Sequence, residues 1–312
     1  MASKNPSRQR RLVVSLYVVA LFVCAYTAAS QSLVLTASTE TGVILGGARE
    51  LVYDGNGHTM SELNWPLLPV TCLGAKIDLS TRAGFLASGE LQVGLAGPDG
   101  TMTDSDWDGN GAQTGYSQAN SILERAITAE AQLGWALPVR GLGPVSLLAP
   151  FAGFECLLFK WSAQNGYLQY PPTAAPTPVF GTSVSYLQSF YIPEGGVKAE
   201  IRLLPNLTVA FSFAFSPYLW FSDVDEHTFR FLEFFDAMQG GYLLQPRLSV
   251  AYRITPKATF ALDALYRHVA GLIGNSTAIE TGATGTQYPT ITNGAGASLD
   301  AVHIQLVLGL SL

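Results

Sequence analysis

The chain has 312 residues, of which 48% are hydrophobic and only 13% charged. Soluble domains carry about 25% charged residues, so apolar surface on this scale calls for a membrane or a large core to cover it. The balance of 23 acidic against 17 basic residues disfavours nucleic acid as a partner.

Residues 1–30 have the layout of a secretory signal peptide. Arg8, Arg10 and Arg11 form a basic start, Leu12 to Ala25 an apolar stretch, and Ala28-Ala29-Ser30 a small-residue ending before Gln31. Leu12 to Ser30 is also just long enough for a retained anchor across a bilayer of ~30 Å, but the small-residue ending favours cleavage. A lipoprotein site at Cys24 is disfavoured by the bulky Val23 before it. Removing Lys4 and the three arginines leaves 13 basic against 23 acidic residues, a net charge of −10. Such a chain suits a basic substrate if its acids gather in one place. Of the cysteines, Cys72 and Cys156 remain. An exported chain could pair them, although two cysteines do not make a framework.

Beyond residue 31 no segment reaches eighteen continuous apolar residues. Alternation with a period of two recurs instead. Phe85, Ala87, Gly89, Leu91, Val93 and Leu95 share one face, as do Leu207, Val209, Phe211, Phe213 and Phe215, and finally Val302, Ile304, Leu306, Leu308, Leu310 and Leu312. The intervening residues are mostly small or polar. A soluble sandwich would share that pattern, but large side chains on one face and small ones on the other suit lipid outside and a polar interior inside. Leu204-Pro205-Asn206 and Thr255-Pro256-Lys257 read as short turns, whereas Gly97 to Ala119 and Gly271 to Ala297 read as long outer loops. The expectation is an all-β protein: one antiparallel up-and-down transmembrane β-barrel of about ten strands over residues 31–312, in the outer membrane.

Two acidic clusters stand out in this charge-poor chain, Asp104-Ser105-Asp106-Trp107-Asp108 and Asp223-Val224-Asp225-Glu226-His227. Each follows an upward strand, so both belong at the same end. In extended backbone, residues two apart point the same way, which groups Asp104 with Asp106 and Asp223 with Asp225 and His227. A carboxylate beside a histidine fixes its tautomer and raises its basicity, and two neighbouring carboxylates can share a proton. Facing each other across a barrel, the clusters could hold and activate a water. Spacing alone leaves room for solvated acidic loops with an incidental histidine. Asp104, Asp106, Asp108 and Gly109 also spell the start of a calcium loop, but its twelfth position, where a glutamate is needed, is Gly115. No Walker-type phosphate loop is present.

These motifs resemble the omptin family of outer-membrane proteases. The matches are Arg49-Glu50-Leu51-Val52-Tyr53, Ser61-Glu62-Leu63-Asn64-Trp65, Asp104-Ser105-Asp106-Trp107, Ala152-Gly153-Phe154 through Gly166-Tyr167-Leu168-Gln169-Tyr170, Asp223-Val224-Asp225-Glu226-His227 and Asn293-Gly294-Ala295-Gly296. The resemblance implies a site facing the cell exterior that cleaves basic peptides or proteins after Arg or Lys. Asp104 and His227 would hold the nucleophilic water, His227 would be the general base oriented by Asp225, and Asp106 would pair with Asp104. Glu50 and Asp223 would receive the basic side chain. It implies no metal, no cofactor and no covalent intermediate. The loop after Trp107 is shorter than the family's, and its acid and histidine for the residue after the cut have no counterpart. Two exterior positions where the family binds lipopolysaccharide through basic residues are Leu158 and Ser189, so outer-membrane lipid is expected as a partner without a lipopolysaccharide requirement. The competing readings on the same barrel are an adhesin or binding protein that uses the acidic mouth for capture, and a passive pore. Retention of all four residues of the catalytic set argues against the first, and ten strands leave little lumen for the second.

Overall fold

The computed structural model describes residues 33–282 and 285–312; the signal-like segment 1–30 lies outside the described residues. These form twelve strands: β1 (Leu33–Tyr53), β2 (Thr59–Thr81), β3 (Phe85–Ala96), β4 (Gly100–Trp107), β5 (Gln113–Trp135), β6 (Val145–Gln169), β7 (Thr177–Leu204), β8 (Leu207–Ser216), β9 (Leu219–His227), β10 (Leu232–Arg253), β11 (Ala258–Glu280) and β12 (Ile291–Ser311). Every pairing among them is antiparallel, and β1 pairs with both β2 and β12, which closes the sheet on itself. β3 and β4 occupy the same place between β2 and β5. β8 and β9 likewise share the place between β7 and β10. Each pair is one interrupted wall strand, so twelve segments make a ring of about ten, as the alternation predicts.

The alternation sets inside and outside. On β12, Val302, Ile304, Leu306, Leu308 and Leu310 are exposed while His303 and Gln305 are buried. On β11, Phe260, Leu262 and Tyr266 are exposed while Asp263, Leu265 and Arg267 are buried. The exposed apolar residues form the lipid-facing band, with Tyr218, Trp220, Tyr242 and Tyr266 toward its upper edge and Trp135 and Tyr252 toward its lower one, where amphipathic rings suit a headgroup layer. The start of β1, the end of β12 and the turns at 82–84, 205–206 and 254–257 lie at the lower rim. At the upper end the wall continues well past the band. Much of what reads as long loops is therefore strand: β4 and the start of β5 lie within Gly97–Ala119, and β11 and β12 together take most of Gly271–Ala297. A wall standing in water needs no apolar outer face, so its Thr, Ser and Asn carry a loop-like composition on a paired backbone.

The lumen is filled in layers. Near the lower end, Arg247 pairs with Glu90 at 2.9 Å and Glu130 at 3.3 Å. Arg267 is buried against Glu155, Gln245 and His303. Above these, Trp65, Trp161 and Tyr186 pack together with ring centroids 5.3–6.2 Å apart. Close strand approach is enforced at Gly46, where φ is +143° and a Cβ would stand 1.9 Å from the Asp300 carbonyl oxygen; any side chain there would push β1 off β12. Cys72 faces the lumen, Cys156 lies on the outward side of β6, and both are free thiols. Opposite faces of the wall keep them from the disulfide that an exported chain would allow.

Candidate active site

β4 and β9 carry the two acidic clusters to the same upper end, above the lipid-facing band. Strand alternation turns Asp104 inward and buries it, with Asp106 partly buried on the same face. On β9 the same alternation buries Asp223 and Asp225 and sets His227 above them. The two strands stand on well-separated parts of the wall. Asp104 and His227 nevertheless line one cleft of about 230 Å³, with Ser117, Tyr167, Tyr170 and Arg230.

His227 Nε2 and Asp225 Oδ2 are 2.5 Å apart. That bond fixes the ring and leaves its other nitrogen for the cleft. Burial works against a charge on His227, but the charge of Asp225 and its hydrogen bond outweigh it and hold the imidazole above its ordinary pKa. Across the cleft, the Ser61 hydroxyl donates to Asp104 Oδ1 at 2.8 Å. Burial first, then the charge of Asp106, pushes the Asp104 carboxyl up to about 6, although Ser61 and His227 pull the other way. The Tyr170 hydroxyl donates to Asp106 Oδ2. Asp108 is turned away: it heads its own turn and accepts the backbone N–H groups of Asn110 and Ala112. Among the described residues no group of three His, Cys, Asp or Glu converges to hold a metal ion.

Beneath this cleft lies an acidic floor. Glu50 from β1, Asp223 and Asp225 from β9 and Asp236 from β10 are all buried. Burial, then the mutual charge of these acids, pushes Glu50 and Asp223 well above the ordinary carboxyl range. Tyr186 donates to Asp223 Oδ2 at 3.0 Å and itself accepts from Gln188 at 2.8 Å. One oxygen on each of the four acids is buried without a hydrogen-bond partner. Buried acceptors rarely stay unmatched, and these four oxygens are open to donors from elsewhere.

The family model of the omptins matches residues 31–312. The chain belongs to the omptin family. The outer membrane protease OmpP of Escherichia coli strain K12 is 21% identical to this omptin over 270 residues, covering 82% of this chain and 83% of OmpP. The crystal structure of the outer membrane protease OmpT from Escherichia coli superposes with a TM-score of 0.82 at 19% identity, covering 89% of this chain and 97% of that one. These likenesses establish the outer-membrane barrel as this omptin's fold.

In this omptin all six residues singled out from sequence, Glu50, Asp104, Asp106, Asp223, Asp225 and His227, gather at one end. Sequence reasoning missed Ser61, Tyr170, Tyr186, Arg230 and Asp236. Ser61 and Tyr170 lie inside segments that carry the family resemblance, but nothing in them marks a contact with Asp104 or Asp106. Asp236 had a usable signal, being a lone acid on the inward face of a strand whose other inward residues there, Phe234 and Met238, are apolar.

Proposed function

We propose that this omptin is an outer-membrane endopeptidase whose site faces the cell exterior and which cleaves peptides or proteins after Arg or Lys. The observation that carries the reading is the convergence of the Asp104–Asp106 pair and the Asp225–His227 pair on one cleft. A water lying between Asp104 and His227 meets an acceptor on each side. His227 takes one proton while the water oxygen attacks the scissile carbonyl, and Asp225 stabilises the imidazolium so formed. His227 then returns that proton to the leaving amine, so proton and charge balance with no covalent intermediate. Asp106, held by Tyr170, pairs with Asp104 and its charge helps to raise the Asp104 carboxyl. Two relatives bearing the name of outer membrane protease support the reaction class.

Glu50 and Asp223 supply the preference for a cation. A neutral side chain in their pocket would leave buried carboxylates unmatched, whereas Arg or Lys brings both charge and donors. The purified, detergent-folded protein should cleave a peptide with a single Arg or Lys immediately after that residue. Replacing Glu50 with Gln and Asp223 with Asn should remove that preference while leaving the barrel folded. Equal cleavage of basic and neutral peptides by the unmodified protein would eliminate the pocket. Binding of basic peptides without any hydrolysis would instead leave a capture protein.

A further inference from the structure

We propose that Asp236 is a third carboxylate of the pocket formed by Glu50 and Asp223, and that it makes this protease select arginine over lysine. The inference rests on the cleavage after basic residues proposed above and deepens it. Asp236 is 5% exposed and lies directly opposite Asp223 in the β9–β10 register. Each keeps its Oδ1 buried and unmatched, as Glu50 keeps its Oε2. The second oxygen of Asp223 is already taken by Tyr186. The free acceptors are therefore distributed over β1, β9 and β10.

The geometry of the two basic side chains decides between them. A guanidinium presents five N–H donors in a rigid planar fork, so it can address carboxylates on different strands at once. An ammonium is a compact point charge with three donors, and it holds its water more strongly than a guanidinium does. In a floor whose acceptors are spread and buried, lysine would leave acceptors unmatched and would also shed more hydration on entry. Two facing acids could serve either cation; the third, on a different strand, is what the fork matches. Burial first, then the charge of Asp225, pushes the Asp236 carboxyl up to about 6, although hydrogen bonds with Ser276 and Asp223 pull the other way, so near neutral pH it is available as an acceptor.

The test compares kcat/KM for two peptides that differ only in Arg or Lys before the cut, using the full protein and its Asp236→Asn and Asp236→Ser variants. The unmodified protein should favour Arg by about tenfold or more, the value of one well-made hydrogen bond to a charged group. Both variants should bring the ratio close to one, through loss on Arg with little change on Lys, and chiefly in KM. Folding is checked by the altered gel mobility of the unheated barrel. A second measurement avoids turnover: agmatine and cadaverine compete for binding of a labelled Arg peptide to the His227→Ala protein. Agmatine should compete more strongly, and Asp236→Asn should erase its advantage. An Arg-to-Lys ratio near one in the unmodified protein, or a ratio unmoved in both folded variants, overturns the role of Asp236 while leaving cleavage after basic residues intact. Absence of any preference for Arg or Lys over a neutral residue would overturn the proposed function itself.

Discussion

Two influences act on His227 in opposite directions: burial disfavours its charge, and Asp225 favours it more strongly. As the proposed general base, the imidazole works only when neutral. Activity should therefore be low below the raised pKa of His227 and rise as pH passes through it. The ionisation of Asp104 near pH 6 adds to the same acid limb. Asp225→Asn should lower the His227 pKa, because burial then acts without its opponent. The acid limb should move to lower pH while kcat falls by roughly 100-fold. Ser61→Ala should do the reverse to Asp104, since the lost hydrogen bond stabilised its ionised form, and move the limb to higher pH. The check is the pH profile of kcat in the two variants; profiles that do not shift would show that neither group titrates in the rate-limiting step. His227→Ala and Asp104→Asn should each cost at least ~100-fold, with a double variant far from additive because the residues act as a unit. Spacing by two grouped these side chains on common strand faces, and the family resemblance supplied the roles proposed for them. Their partners were not legible in the sequence. Ser61 reaches the site from β2 and Tyr170 from the bend just after β6, and that proximity is set by barrel closure, which no local pattern records.

At the scale of the strand, the site depends on wall that rises above the lipid. β4 and β9 resume after the breaks that follow β3 and β8, and both proposed catalytic pairs lie on these resumed segments. The alternation in the lipid band was readable because one face must be large and apolar. Above the band that demand vanishes, which is why part of the wall resembled loops. Gly115 on β5 illustrates what the upper wall needs. It pairs with Asp106, and a Cβ there would stand 2.2 Å from Tyr170 Cε1 and 2.6 Å from Asp106 Oδ2. The absent side chain leaves room for Tyr170 to reach Asp106. Gly115→Val should displace that pair and reduce kcat/KM by about tenfold or more without unfolding the barrel, as expected for a small misplacement of a reacting group. Tyr170→Phe, which removes the hydrogen bond but not the ring, separates the contribution of the bond from that of the packing. Unchanged kcat/KM in both would show that Asp106 needs no support from this side.

For the molecule as a whole, the outer surface decides which lipids matter. Leu158 on β6 and Ser189 on β7 are cross-strand partners on the outward face. The inward neighbours are Leu157 and Phe159 on one strand and Gln188 and Phe190 on the other. A patch that anchors phosphate-bearing lipid needs cations there, because charge-assisted hydrogen bonds to phosphate come from Arg or Lys, and this pair offers none. Lys160, two residues further up β6, is paired with Glu124 at 2.8 Å, so its charge is already balanced. Inside, the ion pairs of Arg247 and Arg267 and the stacked Trp65, Trp161 and Tyr186 brace the wall without help from a bound lipid. The proposed catalytic and substrate-binding acids hang from that braced lumen. Activity should therefore need a lipid or detergent environment but not lipopolysaccharide. Adding lipopolysaccharide to the detergent-folded protein should change kcat/KM by no more than about twofold, the range of weak surface electrostatic effects. A strict requirement would point to Arg125, which faces Lys160 across β5 and β6, as the anchor. Arg125→Ala would then abolish the lipid's effect, and the exterior would have replaced the family's basic positions with a cation one strand away.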